Sequence, residues 1–110
     1  MDVEILVVPD CPNEQPAIEL LGRALADAGH PSEIRISVIR TEKEAERRGF
    51  RGSPSFFVNG TDLFPAGDLG SAMACRIYPT RTGLHGLPSR DDLINAISGS
   101  RFGFANPEYR

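Results

Sequence analysis

Cys11 is the residue of this sequence whose type and position are best suited to chemistry. It follows an apolar run, Ile5 to Val8, which is rich in β-branched residues and indicates a buried strand. Pro9 and Asp10 end that strand, and Pro12 suits the first turn of a helix, because its missing N–H costs nothing there. Cys11 is therefore predicted at a helix N-terminus, where free N–H groups favour a thiolate over a thiol. The alternative is a small buried cysteine that only fills space.

Asp10 and two arginines are further candidates for chemistry. Beside Cys11, the Asp10 carboxyl could act as an acid that relays a proton to a thiolate or to a carbon–metal bond. An ionised carboxylate would also oppose thiolate formation, and an aspartate at a strand end is more often a turn former, which is the interpretation we favour. Arg51 and Arg76 could supply positive charge, but we expect each to be a solvated surface side chain.

The potential metal ligands form a poor set. A structural zinc site needs about four ligands close together, and besides Cys11 and Cys75 the sequence offers only His30 and His85. We expect His30, after the first helix, at the far end of the sheet from Cys11. We therefore predict no resident metal, although two thiolates could hold a linear soft ion such as mercury(II) or copper(I).

Length, charge and hydropathy exclude several classes of protein. The 110 residues, of which 40% are hydrophobic, fit one domain with one core. The net charge of -3 and the dispersed basic residues give no support for nucleic-acid binding. No apolar run approaches the ~20 residues that span a bilayer, and no basic segment precedes the first strand, so we predict a cytoplasmic protein without a membrane role. Two cysteines in a cytoplasmic chain favour redox chemistry, metal binding or free thiols over a permanent disulfide.

The first half of the chain alternates strands and helices. After Pro12, apolar residues recur at three- and four-residue spacing until Gly29, which predicts an amphipathic helix. The segment Ile34 to Val38 has the alternation of a second strand. Thr41 to Glu44 is a capping box that opens a short helix ending at Gly49. This order predicts an α/β domain with a parallel strand pair.

A hairpin is predicted next. Phe56 to Val58 has the composition of a strand, and Asn59-Gly60 is a strong signal for a type I′ turn. Thr61 to Phe64 should therefore return antiparallel to it. Pro54 stands just before this third strand, where a missing N–H is tolerated.

The region after the hairpin has weaker signals. Pro65 to Ala74 contains glycines and a proline without a clear period, so we predict a loop. Cys75 to Tyr78 alternates weakly and could be a fifth strand or an edge ribbon. Thr80 to Pro88 is predicted to be a second loop.

A last helix and a tail complete the chain. Ser89 is predicted to cap the helix with Asp92 at its third position, and the helix should fade at Gly99. Its inward residues should be Leu93, Ile94 and Ile97. We assign residues 1–99 to one domain and 100–110 to a C-terminal tail. The tail aromatics could dock on the body, dock on a second copy to make a homodimer, or belong to a frayed end.

The order of these elements, with Cys11 at a helix start and Pro54 before the third strand, resembles the thioredoxin-like superfamily. The outline is closest to small glutaredoxin-like members, and the resemblance covers most of the region from Val3 to Ser98. The chain also looks like short actinobacterial-type thioredoxin-family proteins described as alkylmercury-lyase-like. The resemblance implies a three-layer α/β fold, with a mixed four- or five-stranded sheet and flanking helices.

The resemblance also implies a site. The family's matching proline is cis and packs beside the active cysteine, so the bond Ser53–Pro54 should be cis, and Pro12, Ser53 and Pro54 should contact an extended substrate. The family's Cys-x-x-Cys motif is incomplete here, because Glu14 stands where the second cysteine would be. In the implied fold the returning hairpin carries Cys75 toward the Cys11 end of the sheet. Cys75 then either replaces the missing partner or simply packs in a strand.

Three functions follow from the resemblance, and the sequence leaves them open. The leading one is thiol–disulfide exchange or thiol transfer on a protein or small-molecule thiol or disulfide, with Cys11 as nucleophile and Cys75 as resolving residue. No cofactor is expected beyond glutathione as a co-substrate. The second is the handling of mercury or an organomercurial by Cys11, Cys75 and Asp10. The third is a non-catalytic binding or adaptor domain, since a fold alone does not decide a function.

Overall fold

A mixed four-stranded sheet organises the molecule. The computed structural model describes residues 1–64 and 72–101. The sheet has the order β2-β1-β4-β5, with β1 parallel to β2 and antiparallel to β4, and β5 antiparallel to β4. The predicted mixed α/β architecture and its parallel strand pair are confirmed. The strands are β1 (Val3–Val7), β2 (Ile34–Val38), β3 (Arg51–Ser53), β4 (Ser55–Val58) and β5 (Thr61–Asp62), where β3 pairs outside this sheet.

Three helices cover the two faces of the sheet: α1 (Glu14–Asp27), α2 (Glu42–Arg48) and α3 (Arg90–Arg101). Successive residues of β1 point to opposite faces. Ile5 therefore belongs to an apolar cluster that includes Leu21 of α1 and Ile97 of α3, whereas Leu6 belongs to a second cluster with Ala45 of α2. The sheet thus lies between α1 and α3 on one face and α2 on the other. No helix within residues 1–64 and 72–101 is long and apolar enough to cross a membrane.

Local signals determine where α1 and α2 begin and end. Gly29 and Gly49 both have positive φ, at 80° and 67°, and follow the last turns of α1 and α2, as predicted. The hydroxyl of Thr41 accepts a hydrogen bond from the N–H of Glu44 at 3.1 Å, which confirms the N-cap. The Glu44 carboxylate accepts from the N–H of Arg40 rather than that of Thr41, so only half of the predicted capping box forms.

The predicted hairpin and final helix are present. Asn59 and Gly60 both have positive φ, at 53° and 82°, as a type I′ turn requires. The returning strand β5 is shorter than predicted and ends at Asp62. The hydroxyl of Ser89 accepts from the N–H of Asp92 at 3.0 Å, which confirms the cap of α3. The helix continues through Gly99, where it was predicted to fade, because one helical glycine costs only about 1 kcal/mol.

Three short strands lie in the region predicted as two loops and one weak strand: β6 (Ala72–Cys75), β7 (Tyr78–Thr80) and β8 (Gly83–His85). Strand β6 pairs in parallel with β3, so the predicted loop from Pro65 to Ala74 is wrong over its last residues, 72–74. Residues 65–71 lie outside the described residues. The segment Cys75 to Tyr78 is not one strand but the junction between β6 and β7. Strands β7 and β8 form an antiparallel hairpin that begins before the second predicted loop and extends into it. Within its turn the Thr80 hydroxyl accepts from the N–H of Thr82 and donates to the carbonyl of Gly83. Residues 102–110, most of the predicted tail, lie outside the described residues.

Candidate functional site

Cys11 lies in the turn between β1 and α1. Asp10 has a φ of 59°, a left-handed conformation that aspartate tolerates better than most residues, so the structure agrees with the turn-forming role. The carbonyl of Cys11 accepts from the N–H of Glu14 at 3.2 Å, at the first residue of α1. Cys11 is only 8% exposed and packs with the apolar cluster under α1 and α3. Helix α1 begins at Glu14 with Asn13 as its N-cap, so Cys11 precedes the helix rather than lying at its N-terminus as predicted, and it has the burial expected of a space-filling cysteine.

The segment Ser53–Pro54 lies at the end of β1 from which Cys11 emerges. Ser55 pairs with Leu6, and the N–H of Val8, just past β1, donates to the hydroxyl of Ser53 at 3.1 Å. The peptide bond between Ser53 and Pro54 is cis, as the resemblance implies. Both residues are buried, whereas Pro12, the third residue predicted to contact substrate, is exposed. The structure thus brings these predicted residues to one end of the sheet.

Cys75 ends β6 and is the register partner of Ser53 in the parallel β3–β6 pair. The N–H of Arg76 continues that pairing by donating to the carbonyl of Ser53 at 3.0 Å. Since paired strands lie about 4.8 Å apart, the backbone of Cys75 is a direct neighbour of the segment that contacts Val8. Cys75 is exposed, and both cysteines are free thiols. A disulfide between them stays a prediction.

Arg76 contradicts the prediction of a solvated surface arginine, because it is only 7% exposed. Its guanidinium pairs with Asp62 at 2.9 Å, donates to the hydroxyl of Ser55 at 3.1 Å and donates to the carbonyl of Phe64. These partners on β4, β5 and just beyond β5 come together only in the folded chain. A buried guanidinium needs such acceptors, because a charge removed from water without partners costs a large desolvation free energy.

Tyr78 is a site residue that the sequence did not reveal. Its hydroxyl donates to the carbonyl of Pro54, and its ring lies 4.9 Å below the guanidinium carbon of Arg76. Burial raises the pKa of the Tyr78 hydroxyl above its usual value, and Asp62 adds to the rise against the opposing charge of Arg76. Tyr78 therefore stays a protonated donor at neutral pH. The weak alternation of Cys75 to Tyr78 was the only signal in the sequence that could have indicated an inward side chain here.

The remaining polar candidates lie outside this arrangement. His85 is exposed on β8 and its Nε2 lies 2.9 Å from the hydroxyl of Thr82. Within residues 1–64 and 72–101, no group of three or more histidine, cysteine and acidic side chains could hold a metal ion. An open groove of about 790 Å³ separates the start of α1 from the β7–β8 hairpin and the start of α3, and Asn13, His85 and Asp92 are among its lining residues. The groove reaches the turn that carries Cys11 through Asn13.

Two free thiols thus lie on segments that meet at Ser53–Pro54, one buried in the turn before α1 and one exposed at the end of β6. One thiolate of such a pair can attack a disulfide, and the second can resolve the mixed disulfide when it reaches the first. Searches of family models, curated proteins and solved structures found no match for the chain.

Proposed function

We propose that the protein is a thioredoxin-like thiol–disulfide oxidoreductase or thiol transferase that acts through Cys11. The observation that carries the proposal is the meeting of three segments at one end of the sheet. Ser53 contacts Val8 at the end of β1, pairs with Cys75 on β6 and precedes a cis proline. The strand order β2-β1-β4-β5, with α1 and α3 on one face and α2 on the other, supports the thioredoxin-like assignment.

The proposed reaction is a two-step exchange. The Cys11 thiolate attacks one sulfur of a substrate disulfide, whose S–S bond breaks, and the leaving sulfur departs as a thiolate that takes a proton from water. Cys75 then attacks the Cys11 sulfur of the mixed disulfide and releases the second substrate thiolate. The substrate gains two electrons and the protein becomes a Cys11–Cys75 disulfide. A thiol co-substrate such as glutathione, present in a reducing cytoplasm, returns the pair to two thiols and becomes a disulfide itself.

Exposure constrains how a substrate reaches this pair. Cys11 is 8% exposed, so little of its thiol is accessible to a bulky disulfide, while the exposed Cys75 is accessible to thiol reagents. The proposed first step needs Cys11 as the thiolate, which is the reactive form of a cysteine. Ser53 and Pro54 are buried, and their carbonyls already accept hydrogen bonds from the N–H of Arg76 and the hydroxyl of Tyr78.

The pairing of the thiols can be tested by oxidation. The wild-type protein, treated with a mild oxidant and digested, should yield a peptide in which Cys11 is linked to Cys75, without intermolecular dimers. Cys11→Ser should lose catalytic turnover with a small disulfide and should retain only the slow exchange of an ordinary exposed thiol at Cys75. Cys75→Ser should still attack and should accumulate a mixed disulfide at Cys11, because the resolving step is missing. Circular dichroism of both variants controls for folding, since Cys11 packs in the core.

Other outcomes would replace the proposal. Full exchange activity in Cys11→Ser would remove Cys11 as the nucleophile. Stoichiometric binding of one mercury(II) ion by both thiolates, without any disulfide exchange, would favour mercury handling with Asp10 as the acid. Absence of both activities, with equal slow labelling of the two thiols, would favour an adaptor domain.

A further inference from the structure

Side chains alternate between buried and exposed just after β6. Cys75 is exposed, Arg76 is 7% exposed, Ile77 is 57% exposed and Tyr78 is 3% exposed. The two polar residues of this segment are therefore the buried ones, and the apolar Ile77 faces solvent. Apolar burial would favour the opposite arrangement, so the buried positions of Arg76 and Tyr78 need another cause.

Arg76 ties the segment to the strand that follows Pro54. Its side chain reaches Asp62 at 2.9 Å and the hydroxyl of Ser55 at 3.1 Å, and its backbone N–H reaches the carbonyl of Ser53 at 3.0 Å. A buried ion pair gives little net stability, because the desolvation of two charges offsets their attraction. The hydrogen bonds of Arg76 are directional, however, so they hold Asp62, Ser55 and Ser53 in one arrangement around it.

Tyr78 ties the same segment to Pro54 itself, since its hydroxyl donates to the Pro54 carbonyl. Its ring packs edge-on against Phe56 and Phe64, with ring centres 6.0 and 5.4 Å away. Arg76 and Tyr78 together contact Ser53, Pro54 and Ser55 in succession. The residues on both sides of the cis bond are thus hydrogen-bonded to the segment that follows Cys75, Ser53 to Arg76 and Pro54 to Tyr78.

We infer that Arg76 and Tyr78 are positioning residues, which hold Cys75 at a constant place beside Ser53 and so set how readily it pairs with Cys11. The inference rests on the proposed thiol exchange between these cysteines. The tendency of two thiols to form a disulfide depends on their effective concentration, which rises when the backbone holds them in place. Neither Arg76 nor Tyr78 touches the substrate in this scheme.

The experiment measures the disulfide equilibrium of the pair. The full-length protein is incubated with mixtures of reduced and oxidised dithiothreitol, and the oxidised fraction is measured by alkylation and mass spectrometry. The reaction converts two protein thiols and oxidised dithiothreitol into the protein disulfide and reduced dithiothreitol. Arg76→Met should lower this equilibrium constant about tenfold, which corresponds to a reduction potential about 30 mV more oxidising for a two-electron couple.

Two further variants keep the test decisive. Tyr78→Phe retains the ring and removes only the donor to Pro54, so it should fold and should lower the constant about threefold, a smaller loss of effective concentration. Arg76→Lys retains the ion pair with Asp62 and should recover part of the loss seen in Arg76→Met. If Arg76→Met does not fold, the disulfide equilibrium constants of Tyr78→Phe and Arg76→Lys are compared with that of the wild-type protein instead.

Arg48→Met is the matched control, because it removes an ion pair with a different buried acidic residue, Glu4, and leaves the pair between Arg76 and Asp62 in place. It should lower the free energy of unfolding without changing the disulfide equilibrium. A merely structural role for Arg76 and Tyr78 would likewise destabilise the dithiol and disulfide forms equally and leave the constant unchanged. Unchanged constants in Tyr78→Phe and Arg76→Met would therefore overturn the inference.

The proposed function and the inference fail in distinguishable ways. A wild-type protein that never forms the Cys11–Cys75 disulfide, but still exchanges thiols through Cys11, overturns the inference and leaves a single-thiol activity. A wild-type protein without any exchange overturns both.

Discussion

Glu4 shows how the sequence places a charge in a buried strand. It lies on β1 and is only 5% exposed. Its carboxylate accepts hydrogen bonds from Ser37 on β2 and from Arg48 on α2, at 2.6 Å for the latter, and pairs with Arg35 at 3.2 Å. Burial raises the pKa of Glu4, but these hydrogen bonds and positive charges outweigh it and hold the pKa below its usual value. The charge is therefore retained at neutral pH and joins three elements.

Glu4→Gln should destabilise the protein by about 2 kcal/mol at pH 7, the usual contribution of hydrogen bonds to a charged group. Because the pKa of Glu4 is lower in the folded chain, its stabilising contribution is complete above the unfolded value of 4.5. It is lost as the pH falls through the folded pKa. Urea denaturation of both proteins from pH 7 to pH 3 should show the difference shrinking below pH 4.5. A difference independent of pH would mean that the charge of Glu4 contributes nothing.

At the scale of elements, short signals decide where helices and strands turn. The turn at Asn59 and Gly60 joins β4 to β5 with both residues at positive φ. The side chain of Asn59 also accepts from the N–H of Asp2 at 2.9 Å, and its backbone N–H donates to the carbonyl of Asp2 at 2.7 Å. The turn thus connects the two strands and attaches the start of β1.

Gly60→Ala should destabilise the protein by about 1 kcal/mol, because an L-residue with a Cβ is strained at a φ of 82°. Gly22→Ala is the matched control, since Gly22 lies inside α1 and nothing lies within 4 Å of the added Cβ. That variant should stabilise the protein by about 0.5–1 kcal/mol through helix propensity. Thermal unfolding of the two variants should give shifts of opposite sign. Shifts of equal sign would show that the turn does not constrain the chain in this way.

At the scale of the whole molecule, the sheet separates two apolar clusters, and the larger one joins the body to the candidate site. Leu21 of α1 and Leu93 of α3 belong to this cluster, which also contains Cys11 and Tyr78. Packing of α1 against α3 therefore supports the turn that carries one thiol and the segment that follows the other. A loss of packing in this cluster should therefore affect the turn that carries Cys11 and the segment that contains Tyr78.

Leu21→Ala should lower the free energy of unfolding by about 3 kcal/mol, because Leu21 is fully buried and the cavity left behind adds to the lost transfer free energy. Leu84→Ala, the same substitution at a side chain that is 72% exposed on β8, should change stability by no more than about 0.5 kcal/mol. Chemical denaturation of both variants compares the two positions. Equal losses would contradict the placement of the core between α1 and the sheet.

Much of the fold could be predicted from the sequence, because its signals act over a few residues. The glycine after α1, the Thr41 cap, the Asn59-Gly60 turn and the Ser89 cap each depend on neighbours in the chain, and each is confirmed. The position of Cys11 between a strand and a helix also depends on residues close to it in the sequence. It follows from an apolar run, a proline and a helical period.

Only the tertiary structure decided how the second half of the site is built. Strand β6 has its partner on β3, and Arg76 has its partners on β4 and β5, so their positions depend on contacts between segments that are far apart in sequence. The burial of Cys11 likewise depends on its packing with α1 and α3. Sequence periodicity reports which side of an element is apolar, but it does not report which distant element will cover that side. A buried arginine and a solvated one therefore have the same local sequence, and the folded partners alone distinguish them.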